Sequence, residues 1–235
     1  AHAHGIGEEQ GFAYIDGYDD PAIIAGQGTM GLEIVEQVPD LDAVIVPVGG
    51  GGLLAGVALA VKSLRPEARI IAVEAEYGAR CSAAIKAGKP VRIAIEPTLA
   101  DGLAIAQVGS NAFEIAAPRV DRMATVSEEQ IAVSILRIVE LEKGVVEGAA
   151  ATPLAACLSG QLPELAGKRV VLLLCGGNID PNVLSRVVER GLVADGRLCR
   201  FTAVISDRPG GLADLPAQIA STGASIKQVV HDRAF

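Results

Sequence analysis

Apolar positions fall along the chain in two kinds of block. Short, largely apolar runs at Ala43–Val48, Arg69–Glu76, Arg122–Val126 and Lys168–Cys175 read as strands buried on both faces. Longer segments with helical spacing separate them: Ala25–Val38, Leu53–Leu64 stopped by Pro66, a run capped by Ser127 and ended by Gly144, about Ala149–Leu158, and about Pro181–Glu189. Phe12–Ile15 adds a short strand candidate. Strands alternating with helices predict right-handed βαβ units, hence an α/β fold with a parallel sheet flanked by helices. The pattern changes after Gly196, where strand, turn, helix and strand follow in too few residues to bury a core alone. The chain is therefore divided into residues 1–195 and 196–235.

Composition agrees with the pattern. Half of the 235 residues are apolar and only 3% are aromatic, which suits aliphatic helices packed on a buried sheet. The net charge of −8 argues against nucleic acid or an anionic membrane surface as partner, because both need a basic footprint. No apolar run reaches the ~18 residues of a membrane span. Cys81, Cys157, Cys175 and Cys199 show no CxxC spacing and read as free thiols of a reducing cytoplasm. His2, His4 and His231 form no ligand cluster and are not expected to act in catalysis.

The chemistry concentrates in two glycine turns. Gly49, Gly50, Gly51 and Gly52 lie between a buried strand and a helix, where exposed N–H groups and the helix dipole cradle an anion, most often a phosphate. A tight βα turn is the alternative. The GK[ST] of a nucleotide P-loop is missing. Gly50, Gly52 and Ala55 do meet the dinucleotide pattern GxGxxG/A, and Glu74 ends the next strand at the distance of a ribose-binding acid. The second turn, "LLLCGGNID" (Leu172–Asp180), weighs against a dinucleotide. A compact cofactor with a phosphate at one end and a ring nitrogen at the other would use both turns.

At these residues the chain resembles the fold-type-II pyridoxal-phosphate enzymes, specifically the threonine/serine dehydratases (ammonia-lyases) and the related serine racemases. The similar stretches are "YDDPAIIAGQGT" (Tyr18–Thr29), "VPVGGGGLLAG" (Val46–Gly56), "TLADGLA" (Thr98–Ala104), "VVEGAAA" (Val145–Ala151) and "LLLCGGNID". The resemblance implies that Gly49 to Gly52 hold the phosphate of pyridoxal 5'-phosphate through backbone N–H groups. Cys175 would face the pyridine nitrogen, where a thiol cannot fully protonate the ring, a setting that favours prompt β-elimination. Asp19 and Glu147 would lie near the cofactor, and Asp101 and Gly102 beside the substrate. Read locally, Cys175 could be a core cysteine, Asp19 and Asp101 turn residues, and Glu147 a helix-start carboxylate.

The implied activity is conversion of L-threonine or L-serine to 2-oxobutyrate or pyruvate plus ammonia. Serine racemase is the alternative within the family. A non-catalytic fragment with an amino-acid-sensing tail is the alternative outside it. The tail, with "DRPGGLADL" and "GASIKQVVHDR", looks like the start of an ACT domain, which implies an amino-acid effector. A homo-oligomer is expected from the same resemblance, and the cytoplasm from the free thiols.

Two positions depart from the family pattern. The Schiff-base lysine belongs to a segment like Ser/Thr-Phe-Lys-Ala-Arg-Gly, and none of Lys62, Lys86, Lys89, Lys143, Lys168 and Lys227 stands in one. An N-terminal segment is expected to supply that amine, and the present residues alone are expected to be inactive. Serine racemase-like members hold a divalent cation with an acid at the position of Glu74 and an Asp six residues later. Here the later position is Arg80, so no divalent cation is expected, Glu74 being the one weak candidate ligand, and a monovalent ion held by backbone oxygens stays open.

Overall fold

The computed structural model describes residues 2–206 and 208–232. Its sheet is parallel, with strands β1 (Ala43–Pro47), β2 (Arg69–Ala75), β3 (Arg122–Val126) and β4 (Val170–Leu172) in the order β3-β2-β1-β4. The helices are α1 (His2–Gln10), α2 (Pro21–Gln37), α3 (Gly52–Leu64), α4 (Arg80–Ala87), α5 (Ser110–Ala116), α6 (Glu128–Arg137), α7 (Gly148–Leu158), α8 (Pro181–Ala194) and α9 (Gly211–Ser221).

The unbroken apolar strands are explained by a core on each face. Val44, Val46, Ile70 and Ala72 pack with residues of α2, α3 and α5. Ala43, Ile45, Ile71 and Val73 pack with residues of α6, α7 and α8 on the other face. The two-residue alternation of strand side chains thus feeds two cores at once.

On the first face α2 and α3 cross closely because glycines line the contact. A Cβ on Gly56 would lie 2.3 Å from the Ile24 carbonyl oxygen, and one on Gly31 2.8 Å from the Ala60 Cβ. On the second face Pro153 interrupts α7 and cannot donate to the Ala149 carbonyl; the Thr152 hydroxyl donates to it instead, at 2.9 Å.

Several expectations meet the structure with shifted ends. Helix α2 starts earlier than its apolar spacing suggests, because the Asp20 side chain accepts the Ala22 N–H and Pro21 fills the first helical position. Ser127 caps α6 as expected, in a capping box with Gln130. Beyond Arg137 the chain continues as a π-turn over Ile138–Glu142 and stops at Lys143 with φ 57°, one residue before Gly144. Replacing Ser127 by Ala is expected to cost about 1 kcal/mol. In a thermal melt this reads as a lowering of Tm by about 2–4 °C.

The strand expectations at Phe12–Ile15 and in the tail fail, and one other is shortened. Phe12–Ile15 forms no strand; it has no neighbour to pair with among the described residues, and Phe12 and Ile15 are exposed. The run from Lys168 to Cys175 pairs only over Val170–Leu172, since β4 has one partner strand and its end turns into the cavity described below. From Cys199 the chain falls in a separate compact unit; among its described residues helix α9 appears but neither flanking strand does, and the end of the second expected strand lies outside the described residues.

Candidate active site

The strand order creates the site. From β1 the chain crosses to β2 on one side, whereas β4 joins β1 on the other, so the carboxyl ends of β1 and β4 flank a topological switch point. Ligands of open α/β sheets bind in that crevice. A cavity of about 210 Å³ lies there, lined by Gly49 to Gly52 after β1, Cys175 after β4, Tyr18 from the loop before α2, and Gly102, Leu103 and Glu147 from segments between β2 and β4.

The glycine turn has two jobs. Its backbone donors are open: among the described residues, no acceptor meets the N–H groups of Gly49, Gly50, Gly51, Gly52 or Leu53. Five such donors at the N-terminus of a 13-residue helix are the arrangement that can receive an anion. The missing side chains serve the protein itself. A Cβ on Gly50 would lie 2.2 Å from the Tyr18 ring, one on Gly52 2.3 Å from the Tyr18 carbonyl oxygen, and one on Gly49 3.1 Å from the Leu103 Cα. Gly51 has φ 97°, a conformation that disfavours side chains. The turn is also held from below, where the Gly109 N–H donates to the Gly50 carbonyl at 2.9 Å.

Glu147 joins the second glycine turn to Gly102. Its carboxylate accepts the Asn178 N–H at 3.0 Å and packs against Gly176 and Gly102, where a Cβ would lie 2.5 Å and 3.3 Å from its Oε1. Its own N–H donates to the Gly176 carbonyl at 3.1 Å. Cys175 is exposed as a residue, yet desolvation of its sulfur raises the thiol pKa, and the Glu147 carboxylate pushes the same way. The group is thus a thiol at neutral pH. Alkylation of Cys175 by iodoacetamide is expected to be slow at pH 7.5, to accelerate as pH rises above the ordinary thiol range, and to be blocked by a ligand in the cavity; peptide mapping by mass spectrometry reads all three.

Other expected site residues have different places. Asp19 commits its carboxylate to the start of α5, accepting from the Ser110 and Ala112 N–H groups, both at 2.9 Å. It caps that helix and reaches the site only through its neighbours. Asp101 is exposed and accepts the Gly102 N–H, while Gly102 itself lines the cavity. Glu74 is fully buried, and its two oxygens take the Cys81 N–H (2.6 Å), the Ser82 N–H (2.9 Å) and the Ser82 hydroxyl (2.7 Å). No ribose can reach it, which removes the acid that the dinucleotide reading needs. It also joins no group of three metal-ligating side chains among the described residues.

Tyr18 was missed by sequence reasoning. The signal was an aromatic side chain, rare in this chain, directly before the acidic pair Asp19–Asp20. Asp16 shapes its loop by accepting the Tyr18 and Asp19 N–H groups. Desolvation and the carboxylates of Asp16 and Asp19 raise the Tyr18 pKa.

A parallel α/β sheet with an open-donor glycine turn and a thiol-bearing turn facing one cavity defines a protein built to hold a compact phosphorylated cofactor. The chain belongs to the pyridoxal-phosphate dependent enzymes, whose family model matches residues 1–176. It is 44% identical over 226 residues to the L-threonine ammonia-lyase of Geobacter sulfurreducens, covering 96% of this chain and 56% of that protein. Among solved structures, the processed form of threonine deaminase isoform 2 from Solanum lycopersicum superposes with a TM-score of 0.77 at 35% identity, over 80% of this chain and 55% of that one. Maize serine racemase gives 0.74 at 32%, over 83% and 60%. The chain thus spans little more than half the length of the proteins it matches.

The residues present fit pyridoxal phosphate. The open N–H groups of Gly49 to Leu53 suit its phosphate, and the protonated thiol of Cys175 suits a ring nitrogen as a weak partner.

Proposed function

We propose that the protein deaminates L-threonine, and L-serine as a second substrate, releasing 2-oxobutyrate or pyruvate and ammonia. The observation that carries the reading is the row of open N–H donors facing Cys175 across one cavity. The likeness to the Geobacter ammonia-lyase supports the choice of threonine.

Bound there, pyridoxal phosphate supplies an electron sink for the α-carbon of an amino acid. The chain's own residues do the rest. The glycine turn would hold the phosphate without a side chain, Cys175 would be a weak partner for the ring nitrogen, and Glu147 ties the second glycine turn to Gly102 in the cavity wall. Leu103 and Gly102 form the wall beside the glycine turn, against Gly49. The net reaction balances: threonine loses one ammonia to become 2-oxobutyrate, with water leaving the β-carbon and returning on hydrolysis.

The test is a stoichiometric assay of the full-length protein loaded with cofactor. Oxo acid and ammonia appearing one to one from L-threonine support the reading. Formation of D-serine from L-serine without ammonia would favour the racemase instead, a reading that the likeness to maize serine racemase keeps in view.

The match to the Geobacter protein covers enough of the chain to include most of the tail. That supports reading the tail as part of the same kind of enzyme; we propose in addition that residues 196–235 are an ACT-like module that takes an amino-acid effector and that the enzyme is a homo-oligomer. An amino acid that shifts the KM for threonine without being consumed supports the effector.

A further inference from the structure

Arg80 is the largest fully buried side chain of the described residues, 1% exposed, and it is a cation. Its Nη1 donates to the Leu103 carbonyl, 23 residues away, and its Nη2 occupies the space that a Cβ on Gly78 would need. Its Nε has no acceptor. Glu74 is the anion that faces it electrostatically, but both carboxylate oxygens are committed to Cys81 and Ser82. Burial lowers the Arg80 pKa and raises that of Glu74, while each charge favours the ionised form of the other. As a stability device this is poor, for a desolvated cation with an orphan donor is more costly than an apolar side chain of the same volume.

The bond to Leu103 has a consequence for the site. The Leu103 carbonyl belongs to the 3-10 turn Asp101–Leu103, whose Gly102 and Leu103 line the cavity. The Leu103 Cα abuts Gly49 of the glycine turn. At its other end the same loop is held by the buried Glu128, which accepts from the Thr98 hydroxyl and from the Leu99 N–H at 2.7 Å. The wall of the cavity is therefore clamped at both ends by buried charges from outside it.

We propose that Arg80 is a positioning residue of the site: an internal cation whose guanidinium, through the Leu103 carbonyl, holds the Asp101–Leu103 turn against the glycine turn. The consequence for catalysis rests on reading the cavity as the cofactor site; the consequence for the turn does not. Arg80 touches neither cavity nor substrate and acts only through Leu103.

The experiment is hydrogen exchange on the full-length protein without added cofactor, comparing Arg80→Met and Arg80→Lys with the parent. The reporters are the amides of Leu103, Ala104 and Ile105, which donate to Ala100, Asp101 and Leu103 at 2.8–2.9 Å. Loss of a charge-assisted hydrogen bond predicts exchange about ten- to a hundredfold faster at these three amides in Arg80→Met. Amides of β2 and α3 should be unchanged, and Arg80→Lys should fall between. In the loaded protein, turnover of threonine should fall in the same order while melting temperature does not follow it. Unchanged exchange at Leu103 to Ile105, or an equal rise across β2 and α4, would overturn the proposal by making Arg80 a plain core residue. If Arg80→Met does not fold, Arg80→Lys decides by the same selective or general pattern. A parent that fails to deaminate threonine would strike the proposed function and leave the exchange result standing.

Discussion

Gly52→Ala is expected to weaken cofactor binding severely. The added Cβ meets backbone, not a movable side chain: the Tyr18 carbonyl oxygen at 2.3 Å and the Tyr18 Cα at 3.0 Å. Relief requires the loop at Tyr18 to part from the start of α3. That movement disperses the N–H donors of Gly49 to Leu53, whose value to a phosphate depends on their convergence. Affinity for pyridoxal 5'-phosphate should fall by about a hundredfold or more, as expected when two or more charge-assisted hydrogen bonds are lost. Gly50→Ala is a useful contrast, because its Cβ meets the Tyr18 ring at 2.2 Å and a ring can swing away. Its loss should be smaller. An absorbance titration with the cofactor ranks the two variants, and equal affinities for Gly52→Ala and parent would mean that the turn does not carry the phosphate.

Gly56→Ala should be the most damaging small change in the body of the fold. Alanine gains about 1 kcal/mol over glycine in a helix interior. Against this, its Cβ would sit 2.3 Å from the Ile24 carbonyl oxygen and 2.6 Å from the Gly28 nitrogen, both backbone atoms of α2. The helices must separate, and overpacking of this kind costs about 3 kcal/mol or more when no side chain can yield. The clash wins, and a net loss of about 2 kcal/mol lowers Tm by about 4–8 °C for a chain of this size. Gly26→Ala, on the open side of α2 with nothing within 4 Å, has the propensity gain alone and should raise Tm. A drop in both variants would show that α2 tolerates no alanine for reasons other than the crossing.

Some of this was legible before the structure and some was not, for physical reasons. The central strands could be read because burial on both faces leaves an uninterrupted apolar run. The edge strand β4 and the tail could not be bounded, because strand length depends on partners that the run itself does not name. The glycine turn was readable as an anion site from its place between strand and helix. What its glycines touch was not, since Tyr18 approaches from more than 30 residues away. Asp19 shows the converse: its residue type suited a ligand contact, but two open N–H groups at the start of α5 are nearer and take its carboxylate. Arg80 was legible only as a departure at a metal-binding position. Its bond to Leu103 links elements whose proximity only the fold creates.

The most direct test compares equilibrium binding of pyridoxal 5'-phosphate and of pyridoxal, which lacks the phosphate, to the full-length protein. Anchoring by the N–H groups of Gly49 to Leu53 predicts that the phosphate ester binds at least about a hundredfold more tightly. Inorganic phosphate should then compete with it. Equal affinities for the two compounds, with no competition from phosphate, would contradict the assignment of the glycine turn as the phosphate cradle.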